Sequence, residues 1–175
     1  MTRPAHKVYP VFVVKEMKQV KLSVRLKAII DMIEIGASVA DIGTDHGFLP
    51  VYLAQKNIAR RIIASDISAA SLEKARMAAS KYNVSESITF IAAPGLCGIA
   101  SSDVDTIVIA GMGGETIVSI LKDAPWTIHR DVRILLQPQT KIELLCRFLY
   151  DQGYIIRETK SVLDRNKYYT IIHAT

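Results

Sequence analysis

Apolar and polar positions fall in blocks along this chain, and the period of the blocks changes. Between residues 22 and 35 apolar residues recur at 22, 26, 29, 30 and 33, which is the spacing of one helix face. Ser23 is a favoured helix cap and Gly36 a stop. Residues 39–42 then read as a short apolar strand. Residues 48–55 read as a helix, with Pro50 tolerated in its first turn. The alternation continues with a strand over 62–65 that ends at Asp66, a helix capped by Ser68 and running to about 82, and a strand over 88–91. Residues 104–110, "VDTIVIA", form a continuous apolar run, as expected of a strand buried on both faces. The glycine-rich 111–114 is expected to break it. A helix over 115–121, a strand over 132–137 and a helix over 141–152 follow. Two last strands, 154–160 and 168–173, flank a turn-rich "DRNK".

The order is β-α repeated five times, closed by a β-hairpin. It predicts an α/β fold with a doubly wound, mostly parallel sheet, helices on both faces and one antiparallel strand from the hairpin. No internal repeat, low-complexity tract or second domain is visible.

Composition narrows this only a little. A chain of 175 residues, half of them hydrophobic, suits one globular domain that needs neither metal nor disulfide. Cys97 and Cys146 lie far apart and outside any CxxC pair, so they read as reduced thiols, and no metal site is expected. Charge is more informative. Residues 1–28 hold seven basic groups and one acid, whereas the rest of the chain holds 15 basic and 16 acidic groups. Such an N-terminus suits a polyanion, and it equally suits a solvated face or tail. The apolar stretch 8–14 contains Pro10 and runs into Lys15 and Glu16, not a cleavage site, and no later run approaches a membrane span. A cytoplasmic protein without membrane contact is expected. Met17 divides a basic extension, 1–16, from a domain over 17–175.

In such folds ligands sit beyond the carboxyl ends of the strands, where the strand order reverses. Four turns therefore matter: 43–47, 66–67, 92–96 and 111–114. The first, Gly43-Thr44-Asp45-His46-Gly47, lacks the glycine spacing of a dinucleotide fingerprint, and Asp45 would repel a pyrophosphate. A ligand with a cationic or polar end suits it better. Asp66 follows Gly43 at about the distance of an acid that grips ribose hydroxyls, although an acid before a helix is also a common cap. Gly111, Gly113 and Gly114 would leave backbone exposed toward the cleft, or simply make a tight connection.

These residues carry a resemblance. "VADIGTDHG", Asp66 and "GMGG" resemble class I S-adenosylmethionine (SAM) methyltransferases. With "LSVRL" (22–26), "ADIGTDHGFLP" (40–50), "APGL" (93–96), "IAGMGGETI" (109–117) and "LLQPQ" (135–139), the chain is similar to the bacterial tRNA adenine-22 N1-methyltransferase family, TrmK, over about residues 18–173. The resemblance implies a Rossmann-like class I fold and SAM as cofactor, with tRNA as substrate. It implies that Asp41 and Gly43 hold the amino-acid part of SAM, Asp66 the ribose, and Ile67, Ala93 and Pro94 the adenine. Gly111 and Met112 would adjoin the cofactor, and Gly113 and Gly114 would face the target base. Pro94 stands where the family often has Asp or Asn, so backbone near Ala93 is expected to replace that side-chain contact. Family members usually continue into a helical module, absent from this sequence.

On the same basis Asp45 and His46 are the candidate catalytic residues, Asp45 stabilising charge on the methylated base and His46 orienting it or touching RNA. Phe48 or Tyr52 would stack on the base, or merely pack. Lys21 and Arg25 would meet RNA phosphate, or stay solvated. Three alternatives remain open: a different RNA or small-molecule acceptor, a non-catalytic SAM- or RNA-binding module, and an NAD-dependent oxidoreductase, which Asp45 and the glycine spacing disfavour. The oligomeric state is not legible.

Overall fold

The computed structural model describes residues 18–128 and 132–175. The expected basic extension, 1–16, lies outside them, as do His6 and His129. Among the described residues, seven strands form one sheet: β1 (Ala37–Ile42), β2 (Ala59–Asp66), β3 (Thr89–Ala92), β4 (Thr106–Gly113), β5 (Arg133–Thr140), β6 (Ile156–Asp164) and β7 (Lys167–Ala174). Their order is β3-β2-β1-β4-β5-β7-β6. All neighbours from β3 to β5 pair in parallel, and β7 enters antiparallel between β5 and β6. The doubly wound sheet with its terminal hairpin is thus as expected.

Among the described residues, five α-helices cover the faces: α1 (Val24–Ile30), α2 (Phe48–Gln55), α3 (Ala69–Lys81), α4 (Gly114–Lys122) and α5 (Ile142–Asp151). The strands' alternation feeds two cores. Ile42, Ile107 and Ile109 pack with Ile117 and Leu121 of α4 and Leu145 of α5. Val39, Ile62 and Val108 pack on the other face with Ile29 of α1 and Leu53 of α2. Asp41 shares the parity of Val39, so it points to the α1 side.

Four details depart from the sequence reading. The connection between β3 and β4 carries no helix, so one β-α unit is a bare loop. The first helix ends at Ile30, because Met32 and Ile33 donate to Ile29 and Ile30 in tightened i to i−3 bonds. Ser23 caps its start, its hydroxyl accepting from the Leu26 amide. Third, the glycines do not end β4. The strand runs on to Gly113 through a register irregularity at Gly111, whose φ of 80° only glycine adopts freely. Fourth, β5 runs past Gln137 to Thr140: Pro138, buried inside this central strand, sits opposite that irregularity, where a missing N–H breaks no regular ladder.

Among the described residues, no helix is long and apolar enough to cross a membrane, and no cluster of His, Cys, Asp and Glu could hold a metal.

Candidate active site

The strand order reverses between β1 and β4, and two clefts open there, at the carboxyl ends of the strands. The first, of about 510 Å³, is bounded by Gly43, Asp45, Asp66, Ile67, the loop 93–97 and the α4 side chains Thr116, Ser119 and Ile120. The second, of about 630 Å³, is bounded by Arg25, Asp41, Gly43, Asp45, His46, Phe48, Gly111, Met112, Gln139 and Arg165. Gly43, Asp45 and Met112 belong to both, so the clefts meet there.

Gly43 makes that junction thin. Its φ is 71°, and an added Cβ would overlap Met112 Cε. The amides of Gly43 and Thr44 both donate to the Ser65 carbonyl, at 2.8 and 3.0 Å, which hooks the turn onto the end of β2. Gly47 lets the α2 start pack on α3, since a Cβ there would stand 2.7 Å from Ala75 Cβ.

Asp66 is not the cap of α3; that is Ser68, which accepts from the Ser71 amide. The Asp66 carboxylate instead accepts from two turns, from Asp45 N–H at 3.0 Å and from Ser68 N–H at 2.8 Å. A carboxylate has about four lone-pair positions, so about two remain for hydroxyls in the first cleft. Ile67 is 76% exposed at that cleft's rim. The Ala93 amide is taken up by the Asp66 carbonyl at 3.2 Å. Only its carbonyl is left to meet a ligand's amino group.

Asp41 is buried at the second cleft, and burial, its largest influence, raises its carboxyl to about 6. The Asp66 charge acts in the same direction, while the Thr44 hydroxyl and the Arg25 guanidinium oppose it. Arg25 reaches the cleft from α1. Its guanidinium bonds Gln137 Oε1, and Gln137 is itself fixed by donating to the Pro138 carbonyl at 2.8 Å. The Tyr169 ring lies 5.5 Å from it. Arg25 is therefore a half-buried, pre-positioned cation, not a solvated surface charge.

Asp45 and His46 form a pair at the shared rim, His46 Nδ1 lying 2.6 Å from Asp45 Oδ2. Both side chains are at least half exposed. Phe48 stacks on the His46 ring at 5.6 Å and lines the second cleft, whereas Tyr52 packs into the core. Asp45 adopts a φ of 50°, a strained conformation that aspartate tolerates better than most.

Some expected residues lie elsewhere. Gly114 is buried, and a Cβ there would overlap the Lys141 carbonyl oxygen, so it serves the packing of α4 on the β5–α5 turn. Gly113 caps α4 beside Thr140. Neither lines a cleft, and neither does the exposed Lys21. Conversely, Trp126, Thr116 and Ser119 in the first cleft and Gln139 and Arg165 in the second were not anticipated. Thr116 and Ser119 stand three apart on α4, and that small polar stripe beside a glycine turn was the available signal. A hollow of about 740 Å³ at the opposite end of the sheet is largely self-satisfied, because Arg60 there is bound by Ser38 and Asp105.

Comparison with known proteins follows the same outline. Residues 22–172 match a methyltransferase-domain family. The tRNA (adenine(22)-N(1))-methyltransferase of Bacillus subtilis is 31% identical over 158 residues, which cover 90% of this chain and 66% of that protein. The chain thus spans slightly less than two thirds of this curated relative. The crystal structure of the B. subtilis M1A22 tRNA methyltransferase TrmK superposes with a TM-score of 0.84 at 31% identity, covering 89% of this chain and 67% of that one. A Streptococcus pneumoniae relative solved in complex with S-adenosyl-L-methionine has a TM-score of 0.83 at 29% identity, covering 88% and 72%.

Proposed function

The chain belongs to the methyltransferase-domain family, in its TrmK branch, and from that premise we propose that it is a SAM-dependent methyltransferase acting on N1 of an adenine in tRNA, position 22. The observation that carries this reading is the pair of clefts meeting at Gly43 and Met112, one furnished for an adenosine and the other for the cofactor's amino-acid end beside a planar acceptor.

The residues fit the cofactor. Asp66 keeps lone pairs for the two ribose hydroxyls, and Ile67 and Leu96 give the adenine ring apolar surfaces. Bare backbone at Gly43 lets the ligand's sulfur end pass close to the turn, provided the Met112 side chain swings aside. Asp41 and Arg25 present a carboxylate and a guanidinium in one cleft, which complements the ammonium and carboxylate of an amino acid. This gives Arg25 a cofactor role in place of the phosphate contact expected from sequence. Acids at positions 41, 45 and 66 suit a cationic ligand and would repel a pyrophosphate.

SAM supplies an electrophilic methyl group on a sulfonium. The protein's work is to align donor and acceptor at the Gly43 junction. Adenine N1 has an in-plane lone pair and needs no base to become nucleophilic. The ring gains positive charge as the new bond forms, and the exposed Asp45 carboxylate at the shared rim stabilises it. His46, bonded to Asp45 and stacked on Phe48, fixes that carboxylate's direction. Because N1 is occupied in a base pair, the target must be unpaired or flipped into the second cleft. Phe48 would then lie against its face. A tRNA substrate supports the cytoplasmic location expected from sequence.

Calorimetric titration tests the cofactor assignment, with NAD as the control. SAM should bind with one-to-one stoichiometry and NAD should not. Binding of NAD alone would overturn the reading.

A further inference from the structure

The β6–β7 hairpin is longer than the sheet needs. β7 pairs with β5 only from Ile172 to Ala174, whereas the β6–β7 ladder continues to Asp164 opposite Lys167. Because β7 is antiparallel to β5, this surplus projects at the carboxyl end of the sheet, the end that carries both clefts. The arm is anchored on its α1 side. Asp164, itself buried, accepts from the Arg25 amide at 3.3 Å, and Tyr169 lies under Arg25.

Its other features have no structural use of this kind. Leu163 and Tyr168 are cross-strand partners on the face away from Tyr169, and they are 50% and 75% exposed. The two turn residues, Arg165 and Asn166, have φ of 50° and 61°. Glycine or asparagine is normal in such a turn, and an arginine there carries strain. Arg165 nevertheless lines the second cleft and makes no ion pair among the described residues. Lys167, two residues on, adds a second cation to the arm, its ammonium 5.3 Å from the Tyr169 ring.

We propose that this arm is an RNA-binding element: Arg165 takes a phosphate next to the acceptor nucleotide, and Tyr168 stacks on a neighbouring unpaired base. Strained arginine at the cleft mouth, a flanking lysine and an exposed tyrosine make the combination of cation and aromatic platform that single-stranded RNA requires. The inference rests on the acceptor reading of the second cleft.

The test uses the full chain, unmodified tRNA and a short adenine-containing oligoribonucleotide, with affinities measured across a salt series. Arg165→Gly suits the positive φ and so endangers the fold least. It should weaken tRNA binding several-fold and lower the slope of log affinity against log salt by about one. Tyr168→Ala should weaken binding by about tenfold while leaving the salt slope unchanged. Both variants should bind SAM as the parent does. Parent-like RNA affinity and salt slope in both would overturn the proposal while leaving the methyltransferase reading intact. Failure of the parent to bind either RNA would overturn both. A change of oligomeric state in Tyr168→Ala with RNA affinity unchanged would assign the exposed pair to self-association and also refute the proposal.

Discussion

The amide of Asp45 donates to the carboxylate of Asp66, 21 residues on, at 3.0 Å. One acid thus does two jobs: it faces the first cleft, and it holds the turn that separates that cleft from the second. Replacing Asp66 by Ala removes both. SAM affinity should fall by at least about 150-fold, because hydrogen bonds to a charged group are worth about 1.5–3 kcal/mol each and two are lost with the ligand. The melting temperature should drop as well. An Asp66→Ala protein with parental SAM affinity in calorimetry would remove Asp66 from the cofactor site.

Burial holds the Asp41 carboxyl above the ordinary carboxylate range. Its carboxyl is raised from 3.8 to about 6 in the folded chain. Between those values the native state holds a proton that the unfolded state has released, so unliganded stability falls as pH rises through this window. Above it, the ionised group costs about 3 kcal/mol. Asp41→Asn should therefore stabilise the unliganded protein at pH 7.5 by an amount of that order, flatten the pH dependence between 4 and 6, and weaken SAM binding. Chemical unfolding at pH 4.5 and 7.5 measures this. Destabilisation of the variant at pH 7.5 would contradict it.

Arg25 opposes that shift. Arg25→Gln should move the Asp41 titration higher. The pH midpoint for SAM binding should rise with it, and affinity at pH 7.5 should fall by about tenfold or more, as expected when a buried charge-assisted contact is lost. A residue that merely supported α1 would lower stability and leave that midpoint in place.

Gly43 and Met112 should behave as a coupled pair. Gly43→Ala forces a side chain into a left-handed conformation and against Met112 Cε, and should destabilise by about 1–3 kcal/mol. Adding Met112→Ala relieves the overlap but not the backbone strain. The double variant should recover part of the loss, giving a non-additive cycle in thermal unfolding. Simple additivity would mean that the two residues do not share the space between the clefts.

Asp45→Asn retains a residue that tolerates its φ of 50° and keeps the amide that binds Asp66. SAM affinity should stay near the parental value while kcat falls by about 100-fold or more, the scale of losing one electrostatic contact to developing charge. Steady-state kinetics with SAM and tRNA varied separately would show it. Loss of SAM binding in this variant would move Asp45 to the cofactor's side of the junction.

The periodicity of the chain was enough for the strands, the helices and the doubly wound order, because most elements carry an apolar run or stripe of their own. The first cleft was legible for the same reason: Gly43, Asp66 and Ile67 sit at strand ends, where the fold's topology places ligands. What could not be read depends on contacts between distant segments. Arg25 looked like a surface charge because its partners, Gln137, Tyr169 and Asp164, lie on three separate strands far along the chain. Gly114 looked like a cleft residue, and only the approach of the Lys141 carbonyl shows that it is a packing residue. The apolar run of β4 masked its continuation through the glycines, since a bulge has no period. Arg165 was hidden in a turn-rich linker whose projection depends on how far β7 pairs with β5.

The most direct measurement is transfer itself. The purified chain is incubated with SAM carrying an isotopically labelled methyl group and with unmodified tRNA, and the digested nucleosides are identified by mass spectrometry. Labelled 1-methyladenosine, lost when adenine 22 is replaced by guanine, is the predicted result. A tRNA left unlabelled by a preparation that binds SAM, or label in a different nucleoside, would contradict the proposed function.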